Sequence, residues 1–352
     1  MVCRRRTHRP RLRGALTALP VLLVAVFAAG PVAANEQAAA AYGAREDVRQ
    51  FAAGIAEREG LDLSWIERQL AQAQRSPAVQ RLIMPAAAGV AKNWATYRTR
   101  FVEPERISAG AAFWRANEDA LRRAEERWGV PPEIVVGILG VETYYGRIMG
   151  RHRTIDALAT LSFDFPSGRS DRSDFFRQEL EAFLVLSARE GADPQAARGS
   201  YAGAIGLPQF MPSSINRFAI DFDGDGHVDL QNSAADAIGS VAHYLAQFGW
   251  VSGMPTHYEV AVPADLVDRA VLLAPDIVPS FTPAQFSERG AVLPESARTH
   301  DGPLALVMVE NGDAAPSYFA GTRNFYVVTR YNRSSYYALA VIALGEAVRY
   351  AR

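Results

Sequence analysis

The stretch VPPEIVVGILGVETYYGR, residues 130–147, decides how the rest of the chain is read. Pro132 suits the first turn of a helix, and Glu133 is favourable at that helix's positive end. Ile134, Ile138 and Val141 form one stripe, with Val135, Leu139 and Glu142 beside it. That spacing predicts a helix over 132–145. Glu142 then lies on or next to the buried face, close to the helix C-terminus. Burial and the negative helix end both disfavour a charged carboxylate there. A carboxyl kept protonated near neutral pH is what a general acid needs. The same spacing also fits a partner-satisfied Glu with only a structural role.

Outward from this segment, the first two thirds of the chain read as helical. Val48, Phe51, Ala52 and Ile55 follow helical spacing, and Ser64-Trp65-Ile66-Glu67 has the pattern of a capping box. Phe113, Ala116, Ala120, Ala124 and Trp128 mark one stripe ended by Gly129 and Pro131. Phe176, Leu180, Phe183 and Leu184 form another that runs to Gly191. Ile238, Val241, Leu245 and Phe248 form a third, closed by Gly249. Beyond Trp250 the texture changes to Pro and turn residues, with β-like runs at Tyr258–Val262, Leu304–Val309 and Phe325–Thr329. Helical spacing returns over Ser334–Tyr350. The fold class expected is mainly α (α+β), with a small β-containing insertion.

The chain has 352 residues, 37 basic and 38 acidic ones, a single Cys and 49% apolar residues. Its near-zero net charge argues against a strongly basic nucleic-acid binder. One Cys excludes an intramolecular disulfide and a Cys₄ metal site. The N-terminus MVCRRRTHRPRLR precedes an uncharged run from Gly14 to Ala34. Its apolar centre, Val21–Ala29, is short for a membrane span, and Val32 and Ala34 take the small-residue positions before a cut at Asn35. Residues 1–34 are therefore expected to be a secretory signal peptide, with an uncleaved membrane anchor as the alternative. Its removal takes away six Arg and Cys3, leaving 31 basic against 38 acidic residues, a charge near −7. The remaining protein is expected to be Cys-free and stabilised by packing alone, without stable membrane insertion.

The segment VPPEIVVGILGVETYYGRIMGRHRTIDALATLSFDFP resembles the catalytic segment of the membrane-bound lytic murein transglycosylase B family. GSYAGAIGLPQFMPSS at 199–214, DFDGDGHVDL with DAIGSVAHYL, and NFYVVTRYNRSSYYALAV resemble the family's further motifs, in family order. The resemblance implies a lysozyme-like core with a helical N-terminal domain and a small β domain. The expected partition is 35–130 helical, 131–250 catalytic core, 251–322 β-containing and 323–352 returning to the core. It also implies cleavage of the β-1,4 bond between N-acetylmuramic acid and N-acetylglucosamine of peptidoglycan, with a 1,6-anhydromuramic acid end and no water consumed. Glu142 matches the family's acid, which then acts as the base. Ser200 and Gln209 match residues that hydrogen-bond the sugar, Phe210 matches an aromatic wall, and Tyr244, Tyr331 and Asn332 match other cleft positions. Aromatic faces suit sugar rings, and amides and hydroxyls suit sugar hydroxyls. The implied partners are peptidoglycan glycan strands, with other cell-wall enzymes as further candidates, and the implied location is the periplasm. No cofactor is implied for the chemistry.

In the Asp-rich loop, Asp221, Asp223, Asp225, Gly226 and Asp229 match EF-hand positions 1, 3, 5, 6 and 9, and His227 can offer its carbonyl. Position 12 is Asn232 instead of the bidentate Glu. Asp236, on the following helix, matches the family's distal ligand. A structural Ca²⁺ or Na⁺ is expected at Asp221, Asp223, Asp225, His227 and Asp236, with a solvated Asx-turn loop as the alternative. Histidines are scattered without an HExxH pair, and GSYAGAIG lacks the Lys-Ser/Thr of a phosphate loop. Two functional readings compete with the lytic transglycosylase: a non-catalytic peptidoglycan-binding protein and a hydrolytic muramidase.

Overall fold

The computed structural model describes residues 42–85, 92–263 and 267–352. The signal peptide expected over 1–34 lies outside them. After a short 3₁₀ turn, α1 (Glu46–Glu59) buries Val48, Ala52 and Ile55 and stops at Gly60. α2 (Leu63–Ala71) starts earlier than the Ser64 pattern suggests. Asp62 is its cap, accepting the Trp65 N–H at 2.7 Å, while Ser64 donates to Asp62 instead of capping. A carboxylate satisfies an orphan helix amide as well as a hydroxyl does. α3 (Pro77–Leu82) and α4 (Trp94–Thr99) follow.

The stripe expected from Phe113 to Trp128 belongs to two helices, α5 (Pro104–Ala116) and α6 (Glu118–Trp128). Asn117 between them leaves helical geometry, and its amide donates to the Phe113 carbonyl at 2.8 Å. Such local side-chain bonding competes with helix continuation. α7 (Pro132–Thr143) starts at Pro132 as expected, with strand β1 (His152–Arg153) and α8 (Thr154–Phe163) beyond it. Then come α9 (Ser173–Glu190), β2 (Arg198–Gly199), α10 (Pro212–Phe218) and α11 (Ala234–Gln247).

The late segment holds β3 (His257–Glu259), three short helices α12 (Arg269–Leu273), α13 (Pro283–Glu288) and α14 (Glu295–Arg298), then β4 (Ala305–Asn311) and β5 (Ala314–Gly321). The strands form one antiparallel sheet in the order β3-β5-β4. β5, unforeseen in sequence, is turned back by Gly312-Asp313 with Gly312 at φ +65°; the Asn-Gly pair at 311–312 is its hairpin signal. The run Phe325–Thr329 is not a strand. It lies in helix α15 (Arg323–Thr329), where Thr322 caps Asn324 at 3.1 Å and Phe325, Val327 and Val328 are all buried. A short apolar run buried on every side has no periodicity to separate strand from helix. The chain closes with α16 (Ser335–Ala351).

Three apolar cores result. One gathers α5–α7, α10, α11, α15 and α16; the second joins α1–α3 to α8 and α9; the third fills the β region around Leu272, Phe286, Leu304 and Leu306. Packing thus cuts across residue 130: the first helices share a core with α8 and α9, and α5 and α6 join the core of α7. Among the described residues, no helix is long and apolar enough to cross a membrane.

In the main core the backbones of α7 and α16 approach closely at two glycines. A Cβ on Gly137 would sit 2.2 Å from the Val341 carbonyl oxygen, and one on Gly345 would sit 2.0 Å from that of Glu133. Backbone atoms cannot move aside as a flexible side chain would. Gly345→Ala is expected to force the helices apart at a cost of about 2 kcal/mol, lowering Tm by roughly 5 °C in a thermal melt. An unchanged Tm would mean that the helices do not touch there.

Candidate active site

Glu142 occupies the last turn of α7. The helix ends because Tyr144 and Tyr145 both enter the left-handed region, at φ +54° and +57°. Two successive non-glycine residues there are costly and persist only where packing holds them. Tyr145 supplies that packing: its ring stacks on Phe113 with centroids 5.4 Å apart, and its hydroxyl end fills the space that side chains at Gly110 and Gly140 would take. Thr143 donates to the Leu207 carbonyl at 2.8 Å, tying the helix end to the GLPQF segment. The short β1–β2 pairing, with His152 opposite Gly199, brings the segment containing Ser200 alongside.

The Glu142 carboxyl is enclosed by protein, although the residue keeps partial access to solvent. Burial pushes its pKa up to about 7, against a hydrogen bond from Tyr337 that favours the charged form. The Tyr337 hydroxyl donates to Glu142 Oε1 at 2.6 Å. Burial, and then the nearby Glu142 charge, hold both Tyr337 and Tyr331 well above the usual phenol range, so each keeps its proton. Among the described residues, no second acid contributes to the shift of Glu142. The environment therefore stores one proton on one carboxyl near neutral pH.

Around this pair the aromatic rings form a continuous wall. Tyr331 stacks parallel to Tyr337 at 6.3 Å and meets Tyr244 at 5.1 Å and Phe210 at 5.7 Å. The Tyr331 hydroxyl donates to the Pro208 carbonyl. Phe210 and Tyr244 are only 2% and 7% exposed, and the Tyr244 hydroxyl is spent on the Arg330 carbonyl at 2.7 Å. Both rings pack against Tyr331.

Gln209 sits at φ +50°, and its amide donates to the Met149 and Gly206 carbonyls at 3.1 and 2.9 Å. That fixes its orientation and leaves its carbonyl oxygen available as an acceptor. The Ser200 hydroxyl accepts the Ala202 and Ala204 amides at 3.2 and 3.0 Å, so its proton remains available to donate. Asn332 is exposed on the turn before α16. Tyr337 and Tyr97 were missed from sequence. Burial, and then the Glu142 charge, raise the Tyr97 pKa, and the Tyr97 ring packs on Tyr336 of α16 at 5.8 Å. The one available signal for Tyr337 was a phenol within an apolar stripe, since a buried hydroxyl needs a partner.

In the Asp-rich loop, Asp221, Asp223 and Asp236 each offer a carboxylate oxygen within 4.8 Å of the others. Asp225 accepts the His227 N–H at 2.8 Å, closing an Asx turn within the same loop. Asp236, buried in the first turn of α11, accepts the Phe222, Asp223 and Asp229 amides at 2.7, 3.3 and 2.8 Å. The Gly226 and Gly224 amides hold the Asp221 carboxyl below the usual range. Three clustered carboxylates, with hard oxygen donors, fit a hard cation such as Ca²⁺.

Residues 43–346 match the family model described as the transglycosylase SLT domain. The chain is 40% identical to the membrane-bound lytic murein transglycosylase B of Escherichia coli over 314 residues, covering 87% of this chain and 83% of that one. Its fold is similar to the soluble lytic transglycosylase SltB1 of Pseudomonas aeruginosa, with a TM-score of 0.79, 38% identity, and coverage of 87% of this chain and 99% of that one. It is also similar to the E. coli lytic transglycosylase Slt35 solved in complex with calcium, at TM-score 0.76, 39% identity, and 88% and 94% coverage.

The Glu142 shift has a consequence for stability. An ordinary Glu in the unfolded chain has released its proton by pH 5, whereas folded Glu142 holds it to about 7. Stability is therefore lost as pH rises from about 4.5 to 7, by about 3 kcal/mol in total. Glu142→Gln is expected to melt above the parent at pH 8 and close to it at pH 4. Equal melting gaps at both pH values would refute the burial assignment.

Proposed function

The chain belongs to the transglycosylase SLT-domain family, and we propose that it is a lytic murein transglycosylase whose acid and base are the single residue Glu142. The observation that carries this reading is the lone carboxyl with a pKa near 7, hydrogen-bonded to Tyr337. Protonated Glu142 gives its proton to the oxygen leaving C1 of N-acetylmuramic acid. The substrate's own N-acetyl carbonyl stabilises C1, replacing the second carboxylate of an ordinary glycosidase. Glu142, now charged and supported by the Tyr337 hydroxyl, takes the proton of the C6 hydroxyl as that oxygen bonds to C1. The proton count closes and no water is consumed. An intramolecular nucleophile has a high effective concentration, and the aromatic wall keeps competing water out.

In this reading Ser200 donates to, and the Gln209 carbonyl oxygen accepts from, the sugar beside Glu142. Tyr331 and Asn332 line the cleft, with Phe210 and Tyr244 holding Tyr331 in place. The enzyme acts on glycan strands in the periplasm after export. Ca²⁺ held by Asp221, Asp223, Asp225, the His227 carbonyl and Asp236 would have no chemical role; it would pin the loop between α10 and α11.

Digestion of purified sacculi tests the activity. Anhydro-ended muropeptides, about 18 Da lighter than hydrolysed ends by the mass of one water, are expected; hydrolysed ends would make the enzyme a muramidase. Glu142→Gln is expected to lower the rate by at least roughly 10³-fold. Tyr337→Phe removes the bond that favours the carboxylate, so the alkaline limb of the pH–rate profile, expected near 7, should move to higher pH. A limb moving to lower pH would contradict the assigned role of Tyr337. Millimolar Ca²⁺ is expected to raise Tm by a few degrees, an effect lost with chelator and in Asp236→Asn; no shift with the parent protein would count against the ion site.

A further inference from the structure

A second cavity, of about 290 Å³, opens where three parts of the chain meet. Lys92 precedes α4, Asp276 and Glu310 come from the β region, and Arg333 and Tyr336 lie at the start of α16. Two cations and two carboxylates line it. All four charged residues are exposed at the cavity rim, and none of their side chains forms a hydrogen bond or ion pair with a described residue. The Lys92 ammonium lies 5.9 Å from the centre of the Tyr336 ring. Tyr336 is itself fixed, since its hydroxyl accepts the Glu310 N–H at 2.7 Å and its ring meets Tyr97 at 5.8 Å. Tyr97 in turn senses the Glu142 charge, and Tyr336 adjoins Tyr337, the partner of Glu142. In sequence, the cavity's Arg333 directly follows Asn332 and its Tyr336 directly precedes Tyr337.

Charges of both signs around one cavity, unpaired with each other, suit a ligand that carries both signs. On a peptidoglycan strand the glycan itself is uncharged, apart from its peptide stems. A stem built on a dicarboxylic diamino acid ends one branch in a free α-amino-carboxylate. We propose that this cavity is a subsite for that zwitterionic end, with Arg333 and Lys92 meeting its carboxylate and Asp276 and Glu310 meeting its ammonium. Arg333 is suited to the carboxylate because its guanidinium can bind both oxygens. The subsite would place a strand by its peptide while Glu142 acts on its sugars; it rests on the transglycosylase reading and deepens it.

The test compares three strand preparations: with the intact dicarboxylic diamino acid, with lysine in its place, and with stems removed by an amidase. The parent enzyme is expected to prefer the first in kcat/KM. Arg333→Ala should reduce that preference about tenfold, acting through KM, since a charge-assisted contact is typically worth a factor of this size. Arg333→Lys should restore part of it, and Asp276→Asn with Glu310→Gln should reduce it as well, with Tm measured on every variant. A preference that survives Arg333→Ala, or one equally strong for lysine stems, overturns the subsite. If the parent cleaves no strand, the transglycosylase reading fails by itself. Calorimetric binding of the free stem peptide to the parent and to Arg333→Ala then decides the subsite: equal affinities reject it, and a loss of about tenfold supports it.

Discussion

The rest of the site depends on the contact between α7 and α16. Gly137 and Gly345 let the two backbones approach closer than any side chain permits. That approach sets Tyr337 against Glu142 across 195 positions of sequence. Both helices are buried along most of their length, so burial of the carboxyl follows from the packing and needs no separate device. Tyr337 then moderates what burial would do alone. A fully unsatisfied carboxyl would hold its proton too tightly to act as an acid near neutral pH, and one with several donors would never hold it. One phenolic bond in a dry pocket gives the intermediate result.

The same packing explains the aromatic layer. Tyr331 is held on three sides, by Tyr337, Tyr244 and Phe210, and by its hydroxyl on the Pro208 carbonyl. Rings in a stack of this kind exclude water and lower the local dielectric, which strengthens every electrostatic interaction with Glu142. The Gln209 amide is aimed from the back by two carbonyls, and Thr143 ties that segment to the end of α7. The groups facing the cleft are thus oriented by bonds made away from it, which is how a site stays preorganised.

What could be read from sequence follows the physics of each element. α7 was legible because a Pro start, an apolar stripe and a terminal Glu are local signals. Helices α9 and α11 were legible for the same reason, their stripes ending at Gly191 and Gly249. The α5–α6 break at Asn117 was not, because one side-chain hydrogen bond ends a helix without disturbing its periodicity. α15 read as a strand because burial on all sides erases the period. At the site, Glu142 was visible from its place on the helix and the other cleft positions from the motif resemblance. Tyr337 and Tyr97 were not, since what matters about them is a contact made by tertiary packing. The loop spacing aligned Asp221, Asp223 and Asp236, whose carboxylates the fold brings together, but it did not record the Asx-turn bond by which Asp225 holds the His227 amide.

The β region would be a loosely tethered insertion were its root not fixed. It leaves the core after Trp250 and returns at Thr322, and both strands of that root are clamped by buried polar side chains. Asn324 donates to the Val251 and Met254 carbonyls at 2.8 Å each and accepts the Val251 N–H at 2.8 Å. The Thr322 hydroxyl reaches the Pro255 carbonyl at 2.6 Å and also caps α15. Both residues are fully buried, so leaving any of these bonds unmade would cost the full desolvation of the group. A satisfied buried network of this kind specifies one geometry instead of an ensemble. The clamp sets the angle at which β4 approaches α16, and the Glu310 amide then reaches Tyr336. The insertion is therefore joined to the core at a buried, hydrogen-bonded root and meets α16 at Tyr336.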